Sequence, residues 1–427
     1  MIDQDRIRSN PEYVKEALKK KLWDADFTEY LEWDKERRAL LQLVEGNKAE
    51  MNRLSGTVPA AKKAGEDVSK IFAEVKRIAA ENKENEEKIK VLEDKIFNFL
   101  AALPNIPDDD LVGGGKENNQ VIKTFKEKPV FNFKIKDHVE LATSLGLIDY
   151  DRGAKISGRG AWVYTGLGAM LEWALVNFFI SEHLKDGYQF ILPPHLLNEQ
   201  SGYVAGQFPK FRQDVFWLEG LDPQRFILPT AETALVNLHR DEILSEDELP
   251  KKYFAYTPCY RREAGSYRTE ERGMIRGYQF NKVEMVQYTK PEDSDKAFEE
   301  LVQKAESLVA KLGLHYHVSK LAAGDISHSM ARTYDIEVYL PSIDIYKEVS
   351  SASNARDYQA RRGMVRYRDN ETKKTKFVHT LNASGLATSR IFPAILEQYQ
   401  QEDGSVIVPE VLRPFMGGIE VLKPIKK

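Results

Sequence analysis

Thr257-Pro258-Cys259-Tyr260-Arg261-Arg262-Glu263-Ala264-Gly265, followed by Arg276-Gly277-Tyr278-Gln279-Phe280-Asn281-Lys282-Val283-Glu284, is the stretch that decides how this chain is read. Phe254 to Arg262 and Arg276 to Tyr288 read as two strands joined by a charged loop. Residues two apart on a strand share a face. Arg261 and Glu263 therefore point together, as do Phe280, Lys282 and Glu284. One sheet face then offers two cations, two carboxylates and an aromatic plate. That set suits a nucleotide: the ring stacks a base, arginine meets phosphate oxygens bidentately, and carboxylates accept from amino groups. Taken alone, the hairpin fits a salt-bridged exposed sheet face equally well.

Downstream, Phe377-Val378-His379-Thr380-Leu381-Asn382-Ala383-Ser384-Gly385-Leu386-Ala387-Thr388-Ser389-Arg390 reads as strand, small-residue turn, then helix. Small residues let a ligand approach the backbone. Arg390 falls at the helix start, where the positive helix end favours anions. Further strands are expected at Gly187 to Pro194, Tyr334 to Leu340, Ile345 to Val349 and Gly363 to Arg368, with helices over Ala169 to Leu184 and Ile391 to Gln400. Hairpin-spaced strands with few crossover helices predict an α+β domain, an antiparallel sheet flanked by helices.

Upstream, the chain changes character near residue 103. Ile71, Val75, Ile78, Asn82, Asn85, Ile89, Leu92, Ile96 and Phe99 follow alternating spacings of four and three, a heptad seam. Leu41, Val44, Met51 and Leu54 form a weaker stripe, and Ser55-Gly56-Thr57-Val58-Pro59 reads as the break between two antiparallel helices. Periodicity alone favours a dimerisation coiled coil. Three units are expected: an N-terminal helical arm over 1–102, a linker over 103–116 rich in Pro, Asp and Gly, and a catalytic domain over 117–427. Gly115-Lys116 is no phosphate loop, because no Ser or Thr follows the lysine.

The 427 residues suit two or three domains of roughly 100–200 residues each. A net charge of −4 neither announces nor excludes nucleic-acid binding, since a basic patch can sit on an acidic chain. There is no secretory signal pattern and no run of about 18 apolar residues, so a cytoplasmic protein with no membrane partner is expected. Cys259 is the sole cysteine, which excludes internal disulfides and multi-cysteine zinc sites, and no zinc is expected. Asp335 and Glu337 share a strand face; structural pairing with nearby arginines is expected rather than acid–base chemistry.

The two segments resemble motifs 2 and 3 of class II aminoacyl-tRNA synthetases, and Tyr188 to Pro194 resembles motif 1. Finer matches point to the seryl-tRNA synthetase family of the ordinary bacterial and eukaryotic type: Thr230-Ala231-Glu232, Thr333-Tyr334-Asp335-Ile336-Glu337-Val338, Glu348-Val349-Ser350-Ser351, Tyr358-Gln359-Ala360-Arg361-Arg362 and Val408-Pro409-Glu410-Val411-Leu412. The similarity covers nearly the whole chain and reverses the reading of the arm. It implies a coiled coil that binds serine tRNA, with Arg37, Arg38, Lys48, Arg53, Lys62 and Lys63 as candidate contacts, and a homodimer formed by the catalytic domains. It also implies that Thr230, Glu232, Glu284 and Ser384 bind serine, with Asn382 in the same pocket. Arg261 is implied at the α-phosphate, Glu263 at adenine, Phe280 as the stacking partner and Arg390 at the γ-phosphate. Glu348, Val349, Ser350 and Ser351 form the remaining ATP-binding segment, with Glu348 and Ser351 at the magnesium that accompanies ATP. Arg261, Arg390 and Glu348 are the expected catalytic residues. Glu348 and Ser351 are three apart, so a bulge or a strand end is expected between them.

The implied activity is ligation of L-serine to serine tRNA through seryl-adenylate. Whether selenocysteine tRNA is also charged stays open, as does which glutamate reads the serine hydroxyl. Departures from the family pattern occur at Val204 to Lys210, at Tyr278, at Ala383 and in the loop Ser266 to Glu271. They leave room for a specialised second copy, for instance an inhibitor-tolerant one. A non-catalytic tRNA-binding paralogue is disfavoured by the retention of Arg261, Glu263, Glu284, Glu348 and Arg390.

Overall fold

The computed structural model describes residues 1–263 and 272–425. The chain divides into two compact units. One comprises Ile2–Glu16 and Asp24–Leu103; the other comprises Met1, Ala17–Trp23 and the chain from Pro104 onward.

The first unit is dominated by helices α1 (Thr28–Lys63) and α2 (Ser69–Ala102). The heptad seam is real: Ile78, Asn82, Asn85, Ile89, Leu92 and Ile96 are buried, and Ile71, Val75 and Phe99 are half-buried, between exposed neighbours. Asn47 Nδ2 donates to Asn82 Oδ1 at 2.9 Å, a polar layer within the seam. The expected break at Ser55 to Pro59 is absent. Helix α1 runs through Pro59 to Lys63, and the turn falls at 64–68. Pro59 forfeits one backbone bond, to Ser55, but it lies on the exposed side one turn from the helix end. Lys62 closes over the Phe72 ring at 5.7 Å across the turn. Near the other end, buried Asp34 binds Arg8, Arg37 and Arg38. Burial raises its pKa, but the bonds from Arg8 and Arg37 outweigh that and hold it at about 2.

The second unit is built on an eight-stranded sheet. Its strands are β1 (Gln120–Phe125), β2 (Gln189–Phe190), β3 (Lys251–Tyr260), β4 (Gln279–Thr289), β5 (Tyr316–Lys320), β6 (Arg332–Leu340), β7 (Ile345–Arg356) and β8 (His379–Ala387). The order is β1-β5-β6-β7-β8-β4-β3-β2, antiparallel except for the β2–β3 pair. Helices α3 (Leu167–Lys185), α4 (Ser294–Lys311) and α5 (Thr388–Gln398) pack into one core with it. Alternation along β4 sorts the two faces. Val283 and Met285 join the helix-side core, while Phe280, Lys282 and Glu284 face two adjoining cavities. The fold is the expected α+β arrangement.

Three local expectations differ. The strand over Gly187 to Pro194 shrinks to two residues. Gly363 ends a short helix, Tyr358–Gly363, and only Arg366–Arg368 is strand. The small residues 383–387 form no turn, because β8 runs straight into α5 at Thr388. Their lack of bulk instead permits close packing: a Cβ on Gly385 would sit 2.3 Å from His183 Nε2, which in turn bonds the Gly385 carbonyl at 3.0 Å.

Candidate active site

The larger cavity, of about 540 Å³, is polar at its floor. Lys282 Nζ lies 2.5 Å from Glu284 Oε2, with side chains 7% and 1% exposed, and donates to Thr230 Oγ1 at 2.8 Å. Asn382 Nδ2 and Ser384 Oγ donate to the same carboxylate at 3.1 and 3.4 Å. Glu232 lines this cavity and has no ion pair among the described residues. Its Oε1 accepts from Gln359 Nε2 at 2.8 Å, and that amide also donates to the Ala205 carbonyl. Thr380 Oγ1 donates to Gln359 Oε1 at 2.7 Å, which fixes the amide's orientation. Burial, reinforced by the charge of Glu284, pushes Glu232 up to about 7 despite Gln359, Lys282 and Arg261. Two buried carboxylates share one buried ammonium, so the pocket lacks one positive charge.

The smaller cavity, of about 190 Å³, holds Arg261, Glu263, Arg276, Phe280, Glu348 and Arg390. The Arg261 guanidinium lies 5.2 Å from the centre of the Phe280 ring, and its Nε donates to the Pro229 carbonyl at 3.3 Å. Arg276 is ion-paired with Glu263. Arg390 Nη1 donates to the Glu348 carbonyl at 2.7 Å and lies 3.4 Å from its carboxylate. Arg276 and Arg390 are thus each paired with an acid, and Arg261 lies by the aromatic ring.

The expected bulge exists. Ile336 pairs with Ser350 and Glu337 with Glu348, so Val349 is the extra residue, and Glu348 and Ser351 both reach the larger cavity. Ser351 Oγ donates to Asp335 Oδ1 at 2.6 Å, which leaves its lone pairs for a cation. A carboxylate beside a hydroxyl fits magnesium, which takes oxygen ligands and fills its sphere with phosphate oxygens and water. Among the described residues no group of three or more His, Cys, Asp or Glu is arranged to hold a metal by itself. Val349 lines the smaller cavity. Ser350 lines neither; its hydroxyl donates to the Ser384 carbonyl at 2.6 Å.

Among the described residues Asp335 and Glu337 do not pair with the arginines expected. Glu337 binds His317 Nε2 and Ser319 Oγ, both at 2.7 Å, and Asp335 is committed to Ser351. Burial, then the charge of Glu348, raises the Asp335 pKa well above the usual range. Sequence marks Lys282 only as a cation of the sheet face and assigns no role to Arg276 or Gln359. The alternation that aligned Phe280 with Glu284 also aligned Lys282, but nothing in sequence announced Gln359 as the partner of Glu232, 127 residues away. The unusual loop Ser266 to Glu271 lies outside the described residues.

On the arm, Lys48 pairs with Glu86 at 2.8 Å and Arg53 with Glu50 at 2.6 Å, all well exposed. Lys62 packs on Phe72, and Lys63 is exposed in the last turn of α1. Arg37 and Arg38 are tied to Asp34. No helix among the described residues is long and apolar enough to cross a membrane.

An antiparallel sheet whose motif 2 hairpin and motif 3 strand–helix converge on one cavity, lined by Arg261, Phe280 and Arg390, defines the class: a class II aminoacyl-tRNA synthetase core. The comparisons agree. Residues 216–399 match the tRNA synthetase class II core domain (G, H, P, S and T), and residues 1–107 match the seryl-tRNA synthetase N-terminal domain. The chain is 62% identical to serine–tRNA ligase 2 of Clostridium acetobutylicum, over 98% of this chain and 99% of that one. It is 47% identical to serine–tRNA ligase of Thermodesulfovibrio yellowstonii, over 99% and 100%. The crystal structure of seryl-tRNA synthetase from Pyrococcus horikoshii complexed with ATP superposes with a TM-score of 0.92 at 33% identity, covering both chains fully. The chain belongs to the seryl-tRNA synthetase family.

Proposed function

We propose that this chain is a serine–tRNA ligase that uses the larger cavity for L-serine, the smaller one for ATP, and the helical arm for serine tRNA. The observation that carries the serine pocket is its charge deficit. Glu284 is neutralised by Lys282, and Glu232 is not. The substrate α-ammonium supplies the missing charge at Glu232, with Thr230 beside it. The neutral hydroxyl then donates to Glu284, flanked by Ser384 and Asn382. Alanine would leave that buried carboxylate without its donor, and a site of this kind discriminates by about 10⁴-fold.

In this reading Phe280 stacks adenine, Glu263 accepts from its amino group, and ATP binding replaces the Glu263–Arg276 pair. The serine carboxylate is ionised at neutral pH and attacks the α-phosphorus without a general base; the new C–O–P linkage forms as the bond to pyrophosphate breaks. Arg261 neutralises charge building at the α-phosphate, and Arg390 holds the departing γ-phosphate. Glu348 and Ser351 would hold magnesium, which supplies charge neutralisation to the phosphates when bound. A terminal hydroxyl of tRNA then attacks the adenylate carbonyl and AMP leaves.

The apolar side chains of Met170, Trp173 and Leu184 on α3 are exposed, which supports a homodimer through this helix. A cytoplasmic location follows from the activity, which needs ATP and tRNA together. Charging of selenocysteine tRNA would rest on the same arm. A non-catalytic paralogue is not favoured, because both cavities keep their charged residues. A specialised second copy is not favoured either, since serine–tRNA ligases and an ATP-bound seryl-tRNA synthetase match the whole length of the chain. The test is ATP–pyrophosphate exchange across amino acids. Magnesium-dependent exchange with serine, and far weaker exchange with threonine, alanine and glycine, is expected; equal exchange with alanine would refute the pocket assignment. Glu232→Gln should raise the serine KM, whereas Glu284→Gln should narrow the gap between serine and alanine.

A further inference from the structure

On β4 the side chains that face the nucleotide alternate with one that faces the helices. Between Phe280 and Lys282, Asn281 points back, and both ends of its amide are held. Its Nδ2 donates to Glu172 Oε1 at 2.7 Å, and its Oδ1 accepts from Tyr256 Oη at 3.1 Å. Glu172 comes from α3 and is 4% exposed. The same Oε1 accepts from Thr388 Oγ1 at 2.5 Å, and that hydroxyl also lies 3.2 Å from the Asn281 carbonyl. Thr388 is the first residue of α5, two before Arg390.

Backbone pairing supplies this connection only through an irregular ladder. The β4–β8 ladder slips just here: Lys282 pairs with Ala387 and Glu284 with Ser384, so two residues of β8 face one of β4. The residue preceding α5 is Ala387, whose methyl group cannot cap the helix. The strand that carries the ring and the helix that carries the arginine therefore meet at an irregular junction, and a buried side-chain network spans it.

We infer that Glu172 is a positioning residue that fixes the Phe280 strand and the first turn of the Arg390 helix relative to one another. The inference rests on Phe280 and Arg390 being ATP contacts, as proposed above. One acceptor oxygen serving donors from two elements sets their separation directly, and it does so from behind the site without touching substrate. Burial raises the Glu172 pKa, and its neutral form keeps the acceptor oxygen. The role therefore needs the oxygen rather than the charge, which separates Glu172→Gln from Glu172→Met.

The test measures pyrophosphate exchange on the full chain with ATP and serine varied separately. Glu172→Gln should stay within about threefold of wild type for both substrates. Glu172→Met, similar in length but without the acceptor, should raise the ATP KM about tenfold and lower turnover by as much, since a displacement near 1 Å can cost about 10²-fold. Its serine KM should rise by less, about threefold at most, because Lys282 and Glu284 share β4 with Phe280 whereas Thr230, Glu232 and Gln359 hang on other elements. A wild-type ATP KM in Glu172→Met overturns the inference, and so does a serine KM that rises in step with that for ATP. Where Glu172→Met does not fold, Thr388→Val carries the test: it removes one hydroxyl at constant shape and should raise the ATP KM about threefold. An unchanged value there also overturns it. Absence of serine-dependent exchange in the wild-type protein would instead sink the proposed function.

Discussion

The arm and the catalytic unit hold charge in opposite ways. On the arm, Arg53 and Glu50 pair one turn apart with side chains 64% and 42% exposed. In the catalytic unit, Lys282 and Glu284 pair with almost no exposure. An exposed pair contributes about 0–1 kcal/mol and is screened by salt. A buried pair is costly to assemble, and removing one partner costs about 3–5 kcal/mol because the other charge is stranded. The arm's charges can therefore be exchanged for phosphates at little cost, whereas the core's are committed to one geometry. The base of the arm, where buried Asp34 gathers three arginines, resembles the core rather than the arm.

Shortening the arm makes the sharpest break between the regions. Deleting residues 46–85 and closing the hairpin with a short linker removes Lys48, Arg53, Lys62 and Lys63 but keeps Asp34 and its arginines. Transfer to tRNA should fall about 10³-fold, the order expected when several phosphate contacts vanish. Pyrophosphate exchange should stay near wild type, since every cavity residue lies beyond the deletion. Sedimentation and aminoacylation check both halves. A truncated protein that charges tRNA normally, or one that becomes monomeric, breaks the assignment of the arm.

Arg261→Ala comes next and should reverse that pattern. Loss of a preorganised charge at the α-phosphate should lower exchange by about 10²–10³-fold. Binding of tRNA, measured by filter retention, should be unchanged. Near-normal exchange would show that the guanidinium over Phe280 is not at the reacting phosphate.

The two regions were also unequally legible in sequence. The arm's seam was read residue by residue, because a helix brings i, i+3 and i+4 together without help from elsewhere. Its tip departs from the local pattern: Gly56 and Pro59 are breakers, yet α1 runs through both. In the core, alternation gave the faces of β4, and the spacing of Glu348 and Ser351 foretold the bulge at Val349. Gln359 on Glu232 and Asp335 on Ser351 were not legible. Each depends on register and packing between segments far apart in sequence, which no local pattern encodes.

Serine binding should depend on pH through Glu232. The pocket holds this carboxyl near 7, above its ordinary value, so below pH 7 it carries a proton that the substrate ammonium must displace. The sign follows: serine binds the ionised form, so its KM falls as pH rises through 7 and increases about tenfold from pH 8 to pH 6. The groups facing Glu232 are Glu284, Lys282, Arg261 and the Gln359 amide. Lys282→Met removes a cation that lowers the Glu232 pKa and should move the dependence to higher pH. Exchange kinetics at several pH values check this, and a serine KM flat from pH 6 to 8 would remove Glu232 from the ammonium.

The smallest effect belongs to single arm cations, and it sharpens the comparison most finely. Lys48 lies on α1 and bridges to Glu86 on α2 with both side chains more than half exposed. Lys48→Ala should change the stability of the protein by no more than about 0.5 kcal/mol, because water and salt already compensate this pair. If Lys48 meets a phosphate, the same substitution should weaken tRNA binding a few-fold and reduce the slope of log affinity against log salt by about one. Arg37→Ala provides the contrast within the same unit. It withdraws one of three donors from Asp34, whose carboxylate is held near pKa 2 by them. That contribution is present above the carboxylate's unfolded pKa and is lost as pH falls through 2, so Arg37→Ala should destabilise at neutral pH by more than Lys48→Ala does. Thermal unfolding and salt-dependent binding of the two variants decide between the roles. A stability loss for Lys48→Ala with an unchanged salt slope would make it a strut of the hairpin rather than a phosphate contact.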